Sequence, residues 1–600
     1  MSSAFLLLAT KQPGSLPPRV AALAQRAQID GLSFRPTDHV YWQDDSRALA
    51  IGAWQGPPSV LGERAWCVSD GQLVTMVGHS RWVGGPRRPR RPRAAEVADA
   101  LQDTRFGDVI EQLEGVFSVL RATSDGEVSI GTDPLGFRCI YYAETPNVVV
   151  VSSRAWLVAS ALAVTHRPMP DALNTAWFAY TTYRIGDATG FDGVRTLPSG
   201  GVIAVQPGRG MRVTRDRPWM PDQALRERSV DDVVDLVRCD IRDALCAALE
   251  VPVDRHIVQL TGGKDSRLVL AVAHWAGLAD AFEYETIGPP DLEDVRVASE
   301  LANLLGLRHE VKFLGLGSEQ PYADRLRGFV ATTEGMLNIW DLAAPNPKAN
   351  ELRVVGLCGE MLRTYRRLSR PVTSSEDLHQ LFRPQDFGRL RLLYPHVVRR
   401  LHADLLDVLF EEPCDGAEPL DLFDAYYFRN RVRFSRTGPL EDVAGQLRVM
   451  PLYSLRLLRA AFALGGEARQ TERLHYEVIR RCSELLTSHR FAGPGWDPRL
   501  EACGPSPLGA KHSPLPRTTP PALNAKAEPL MAGLQRKAFD ERKNVLLAAL
   551  RGPDNRAWDS IDRAAAAAAL ERFHSLGTAE KRELYGAVTA ALWLDDATRC

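Results

Sequence analysis

The sequence predicts a multidomain protein of mixed α/β and α+β class, with a β-sandwich-type region followed by a parallel sheet carrying helices on its faces. Three observations predict it. Over the first two hundred residues, short β-type runs alternate with turns. From about Ser229 strands and helices alternate, the pattern of a parallel sheet. One of those later strands runs through a glycine-rich turn straight into a helix. At 600 residues the chain exceeds what one hydrophobic core holds, and the expected domains are 1–215 and 225–600.

The first region is read from its punctuation. Val74-Thr75-Met76-Val77-Gly78, Val116 to Leu120, Val128-Ser129-Ile130 and Val148 to Val151 read as strands separated by Gly, Asp and Pro turns. The apolar stretch in MSSAFLLLATKQPG has no basic lead and no cleavage site, so it reads as a buried strand rather than a signal peptide. GGPRRPRRPR carries Arg87, Arg88, Arg90, Arg91 and Arg93 among prolines that forbid helix and central strand. It reads as an exposed loop, either solvated surface or a docking site for an acidic partner.

In the second region Val230, Val233, Val234, Val237, Ile241, Leu245 and Leu249 recur at helical spacing and lead to the apolar strand His256 to Leu260. Strands and helices alternate to roughly residue 360, and the remainder reads as largely helical. A Pro- and Gly-rich stretch from Gly493 to Pro521 interrupts it, a candidate cover or disordered segment.

Composition excludes several classes. A formal net charge of −1 gives no global field toward nucleic acid or an anionic membrane, and neither is expected as a partner. No apolar run approaches the roughly 20 residues of a membrane helix. A cytoplasmic location is expected. The nine cysteines form no CxxC pair and no Cys/His cluster at zinc spacing, so they read as small buried hydrophobes.

The chemistry-bearing motif is Leu260-Thr261-Gly262-Gly263-Lys264-Asp265-Ser266-Arg267, followed by an apolar helix. Strand, glycine turn and helix aim backbone N–H groups and a helix N-terminus at an anion, and paired glycines admit it where a Cβ would clash. Thr261 and Ser266 add hydroxyls, and Asp265 adds a hard oxygen suited to magnesium on phosphates. The GxxxxGK[ST] spacing of a Walker loop is absent.

This string resembles the SGGxDS pyrophosphate loop of the ATP-pyrophosphatases, with Thr261 in place of the usual Ser. Thr286-Ile287-Gly288, Asp294 with Ala298, Leu301 and Ala302, and Gly306-Leu307-Arg308-His309 follow in the family's order. So do Val354 to Glu360 and Pro451-Leu452-Tyr453. In the first region Leu113 to Ser118, Asp133-Pro134-Leu135-Gly136-Phe137-Arg138, Tyr141-Tyr142 and Phe191 to Gly200 resemble the glutamine-amidotransferase half of asparagine synthetase. The resemblance implies a degenerate Ntn amidotransferase-like domain and an adenine-nucleotide α-hydrolase-like synthetase domain.

Two departures direct the expected function. Glutaminase activity in that family needs a cysteine at position 2, where this chain has Ser2 and its first cysteine is Cys67. A hydroxyl is a far weaker nucleophile than a thiol at neutral pH. Val77-Gly78-His79-Ser80-Arg81-Trp82 stands where the family has Asn-Gly-Glu. With no ammonia made, the substrate must bring the amine, as in β-lactam synthetases and lasso-peptide macrolactam synthetases. Cys358-Gly359-Glu360-Met361-Leu362-Arg363 and Glu334 to Asp341 are closer to the lasso cyclases.

The resemblance thus implies an AMP-forming carbon–nitrogen ligase using ATP and Mg²⁺. Its substrate is a core or precursor peptide whose Asp or Glu side chain is joined to its N-terminal amine, with a leader peptidase and a leader-recognition protein as partners. A β-lactam-type or ammonia-dependent asparagine-synthetase-type ligase is the alternative. Asp265 and Glu360 are expected to be catalytic and to hold metal. Thr261, Gly262, Gly263, Lys264 and Ser266 would hold pyrophosphate, and Leu260, Ile287, Cys358 and Gly359 would line the adenosine. Arg267 and Arg363 would neutralise phosphate or pair with those acids. Lys511 or Lys526 could supply a late-loop lysine but read first as solvated loop residues, Glu334 and Asp341 either take the amine's proton or sit on the exposed surface, and His309 reads as structural.

Overall fold

The computed structural model describes residues 3–27, 32, 34–56, 64–83, 92–163, 170–215, 221, 223–312, 321–341, 350–365, 368, 372–411, 417–436, 447–501, 542–550 and 555–597. Ser2, the arginines at 87–91, Lys511 and Lys526 lie outside the described residues, as does the side chain of Asp341.

Two six-stranded antiparallel sheets form the first region. One runs in the order Arg195–Thr196, Tyr141–Glu144, Val148–Ser152, Ser3–Thr10, Leu49–Gln55, Asp38–Gln43. The other runs Gly210–Arg215, Gly201–Gln206, Val128–Thr132, Leu113–Thr123, Gln72–Trp82, Trp66–Ser69. The apolar run near the start is the strand Ser3–Thr10, buried along its whole length. Its period of two explains why both faces are apolar. Phe5, Leu7 and Ala9 pack with Leu73, Leu120, Ile130 and Ile203 of the second sheet. Ala4, Leu6 and Leu8 face the other way, into a core with the helices Pro18–Gln25 and Ala155–Leu162. The second sheet is backed in the same manner, with Val74, Phe117 and Val119 against the helices Ala94–Asp103 and Phe106–Glu111. The expected sandwich is therefore present, with helices covering both outer faces.

The second region is built on a five-stranded sheet in the order His309–Lys312, Glu283–Ile287, Arg255–Gln259, Glu351–Val354, Leu447–Val449. Every neighbouring pair in it is parallel. The amphipathic helix is Val230–Leu249, its N-cap Ser229 accepting from the Asp232 N–H. It buries Val233, Val237, Ile241 and Leu245 with the sheet residues Val258, Tyr284, Leu352 and Val354 and the helices Lys264–Trp275 and Glu293–Leu305.

Packing joins the two regions closely. Phe137 stacks on Tyr453 with ring centroids 4.2 Å apart, and the Tyr453 hydroxyl donates to Asp133 Oδ1. Arg81 Nη2 lies 2.8 Å from Asp240 Oδ2, and Glu114 Oε2 accepts the Leu455 N–H at 2.9 Å. The helix Thr578–Ala597 returns to the first region, where a Cβ on Gly586 would come 1.9 Å from the Phe178 carbonyl oxygen. Residues from both sides of the 215/225 division thus share one hydrophobic core. No helix among the described residues is long and apolar enough to cross a membrane.

Candidate functional site

The strand order places a crevice. Arg255–Gln259 is central; the chain moves outward on one side to Glu283–Ile287 and His309–Lys312, then crosses to Glu351–Val354 on the other. The loops after Arg255–Gln259 and Glu351–Val354 leave the sheet at this reversal, where open parallel sheets bind ligands. The glycine-rich motif follows the first of these strands, and the turn carrying Gly356, Cys358 and Gly359 follows the second.

Missing Cβ atoms let these loops touch. A Cβ on Gly359 would lie 2.4 Å from Asp265 Cγ, and one on Gly356 would lie 2.7 Å from the Ser266 backbone nitrogen. Between them Cys358 takes a left-handed φ of 72°, which turns the chain back on itself. On the other side a Cβ on Gly262 would meet Ala492 Cβ at 2.6 Å.

Side chains set the shape of the motif. Ser266 Oγ accepts the Thr261 N–H at 3.1 Å and donates to the Thr261 carbonyl at 3.2 Å. Thr261 Oγ1 accepts the Gly263 N–H at 3.2 Å, and Asp294 Oδ1 accepts that of Gly262 at 2.8 Å. Gly263 is the N-cap of the helix Lys264–Trp275 and offers no side chain to cap its first turn, which leaves the positive end of the helix to face a ligand.

Two cations and two carboxylates meet at the crevice. Lys264 Nζ pairs with Glu472. Arg363 bridges, with Nη2 3.7 Å from Asp265 Oδ2 and Nε 3.6 Å from Glu472 Oε1. His475 Nε2 lies 2.9 Å from Asp265 Oδ1. Burial pushes the Asp265 carboxyl up, but the His475 hydrogen bond and the charges of His475, Arg363 and Lys264 outweigh it and hold the group below its ordinary range. Glu472 is held low in the same way, burial being overcome chiefly by Lys264. The carboxylate of Asp265 is therefore ionised, and His475 donates to it from Nε2. The buried Nδ1 of His475 has no partner among the described residues.

The expected site residues fall into two groups. Thr261, Gly262, Gly263, Lys264, Asp265, Ser266 and Gly359 converge on the crevice, and the half-buried Glu360 follows Gly359 in the turn Gly359–Leu362. Ile287 ends its strand 44% exposed. Leu260 and Cys358 are fully buried; their side chains belong to hydrophobic cores, so only their backbone can face a nucleotide.

Two expectations are corrected. Glu334 is no proton acceptor at the crevice: it is buried against Arg154 Nε at 2.9 Å and takes the N–H groups of Ala155 and Trp156. Arg267 neither pairs with the acids nor faces phosphate. It is fully buried, donates to the carbonyls of Leu486, His489 and Arg490, and stacks 3.7 Å from the Phe491 ring centroid. Desolvation pushes its pKa down to about 9. His309 Nε2 lies 2.8 Å from Thr286 Oγ1.

Glu472 and His475 were not singled out from sequence. The available signal was an acid and an imidazole three apart at the start of a helix, Arg473–Cys482, with no motif around them. No group of three or more His, Cys, Asp or Glu side chains that could hold a metal occurs among the described residues. Asp265 and Glu360 supply hard carboxylate oxygens of the kind that magnesium on phosphates takes one or two of, and Asp265 here meets His475 on one oxygen and Arg363 near the other. A separate cavity, lined by His79, Arg81, Glu114, Ala248 and Met450, lies at the seam of the two regions, and no residue of the glycine-rich motif lines it.

No family model matches the chain, and no curated protein matches it at a significant level. Among solved structures it is similar to a glutamine phosphoribosylpyrophosphate (PRPP) amidotransferase from B. subtilis complexed with ADP and GMP. The identity is 13%, covering 59% of this chain and 81% of that one, with a TM-score of 0.24. It is also similar to a structure of the allosteric regulatory enzyme of purine biosynthesis, at 11% identity, covering 59% and 74%, with a TM-score of 0.24. At that TM-score neither likeness specifies a fold, and the architecture rests on the strand registers above.

Proposed function

We propose that this protein is an ATP-dependent, AMP-forming carbon–nitrogen ligase that activates a carboxylate as an acyl-adenylate and passes it to an amine of the same molecule. The observation that carries the reading is the contact of Gly356 and Gly359 with Ser266 and Asp265 across the crevice, at the uncapped N-terminus of Lys264–Trp275. A phosphate chain suits that place: backbone and helix dipole favour an anion, and Lys264 and Arg363 add cationic charge. Thr261, Gly262, Gly263, Lys264 and Ser266 would hold the pyrophosphate. Leu260, Ile287, Cys358 and Gly359 would line the adenosine, and Asp265 with Glu360 would hold magnesium. Magnesium, when bound, offsets charge on the departing pyrophosphate.

A carboxylate is a poor electrophile, and adenylation supplies the leaving group. Its oxygen attacks the α-phosphorus and pyrophosphate departs; the amine nitrogen then attacks the acyl carbon and AMP departs. Placing amine and acyl group in one molecule removes a bimolecular encounter, worth up to about 7–11 kcal/mol. The substrate proposed, on the sequence resemblance alone, is a core peptide whose Asp or Glu side chain is closed onto its N-terminal amine, giving the macrolactam of a lasso peptide. A leader peptidase and a leader-recognition protein would act beside it in the cytoplasm. The use of His79–Arg81 supports an amine brought by the substrate: Arg81 is committed to a buried ion pair with Asp240 that ties the two regions together.

The test incubates the full chain with ATP, magnesium and a leaderless core peptide. The expected result is pyrophosphate release with a product lighter by one water. Release with free aspartate and ammonium alone would replace this reading by an asparagine-synthetase-type ligase.

A further inference from the structure

The ammonium of Lys264 sits in a built enclosure. Its side chain is 11% exposed, and that of its partner Glu472 is 9% exposed. Nζ donates to the Gly495 carbonyl at 2.9 Å and lies 4.9 Å from the Trp496 ring centroid and 5.4 Å from that of Phe491. The two rings stand at 85° with centroids 5.0 Å apart, so they form adjoining walls of a corner. Trp496 is fixed by Nε1 donating to the Thr487 carbonyl at 2.9 Å and by Tyr476 at 5.4 Å. Phe491 is fixed by Arg267 on a ring face. Carboxylate, carbonyl and two rings are the groups that compensate a desolvated ammonium. The backbone reinforces the enclosure: Glu472 holds a left-handed φ of 63°, and the Ala492 N–H donates to the Gly262 carbonyl at 3.1 Å. Such non-glycine strain persists where the surroundings over-determine it, and it clusters at functional sites.

We infer that this corner of Glu472, Gly495, Phe491 and Trp496 is the binding site for the primary amine that attacks the activated carboxylate, entered when Lys264 turns out of it. The inference rests on the ligase reading for the amine's destination. Lys264 belongs to the phosphate-facing motif, and a polyphosphate draws its flexible stem out of the corner. The vacated corner lies one guanidinium from Asp265, because Arg363 bridges Asp265 and Glu472. There Glu472 takes a proton from the substrate ammonium. The freed lone pair attacks the acyl carbon, the C–N bond forms, and the C–O bond to AMP breaks with its electron pair leaving on AMP. The second N–H proton passes to water, and Glu472 returns its own to solvent.

Vacating the corner by Lys264→Ala tests this with ethylammonium chloride as the probe and sodium chloride as the ionic control. Ethylammonium should raise the melting temperature of the variant more than that of the wild type, with saturation. The effect should disappear in Lys264→Ala/Glu472→Gln, and Trp496→Leu in the same background should weaken the affinity roughly fivefold or more. Lys264→Ser serves if the alanine variant does not fold. No extra stabilisation of a folded Lys264 variant, or the same stabilisation without Glu472, would overturn the site. Ethylammonium binding without pyrophosphate release by any substrate would leave the amine site standing and remove the ligase reading. Pyrophosphate release by a protein whose vacated corner ignores ethylammonium would do the reverse.

Discussion

Asp133 is fully buried in a turn, whereas Asp265 opens a helix with 26% of its side chain exposed, and their surroundings drive them in opposite directions. Asp133 accepts the Phe137 and Arg138 N–H groups at 2.9 and 2.7 Å and the Tyr453 hydroxyl, yet desolvation outweighs these bonds and Arg433, raising its carboxyl above the ordinary range. At Asp265 desolvation is overcome by His475, Arg363 and Lys264. The first aspartate closes a turn and a seam; the second gathers ionised partners at the open end of a parallel sheet. Burial of an acid therefore does not mark a site. Convergent charge at a strand reversal does, where glycines leave room for an anion.

The sharpest break of that comparison is removal of each acid or its support. On the ligase reading Asp265→Asn lowers pyrophosphate release by about 10³-fold, the scale of losing a preorganised electrostatic group, while circular dichroism shows a folded chain. Gly359→Ala drives a Cβ to 2.4 Å from Asp265 Cγ. It should cost roughly 10²-fold in kcat, the scale of a misplacement near 1 Å. At the seam, Tyr453→Phe removes the donor to Asp133 and the acceptor of the Leu135 N–H. That should cost about 1–3 kcal/mol in urea unfolding, with kcat within about twofold of wild type after correction for the folded fraction.

The smallest effects are on pH. The Asp133 carboxyl is raised, so its ionisation weakens the fold as pH climbs from the ordinary aspartate range through the raised value; Asp133→Asn should gain on the wild type over that climb. Glu472 is lowered, so its stabilisation is complete above about pH 4.3, the unfolded glutamate value, and is lost as pH falls through the folded one. The deficit of Glu472→Gln should shrink toward acid. Melting temperatures from pH 3 to about pH 8 read both, and parallel trends would contradict the contrast.

The sequence patterns reached the fold where local pattern and tertiary placement agree. The strand Ser3–Thr10, the helix Val230–Leu249 and the turn at Gly262-Gly263 all lie where periodicity and glycine put them. The helix Thr578–Ala597 folding back onto Phe178 left no local trace, because Gly586 matters only for a backbone more than 400 residues away. Within the crevice the contiguous motif was legible. Glu472 and His475 were not, since they reach Asp265 and Lys264 across more than 200 residues and have ordinary neighbours. Arg267 and Glu334 were misread for the converse reason. Charge beside a motif suggests chemistry until its partners prove to be backbone carbonyls at Leu486–Arg490 and the N–H groups of Ala155 and Trp156.

The most direct test is substrate-dependent exchange of labelled pyrophosphate into ATP, which reads the reversible adenylation step before any amine attacks. The wild type should exchange with magnesium and a carboxylate-bearing core peptide, and Asp265→Asn should not. Equal exchange by both proteins, or ATP turnover to ADP without carboxylate dependence, would contradict the ligase reading.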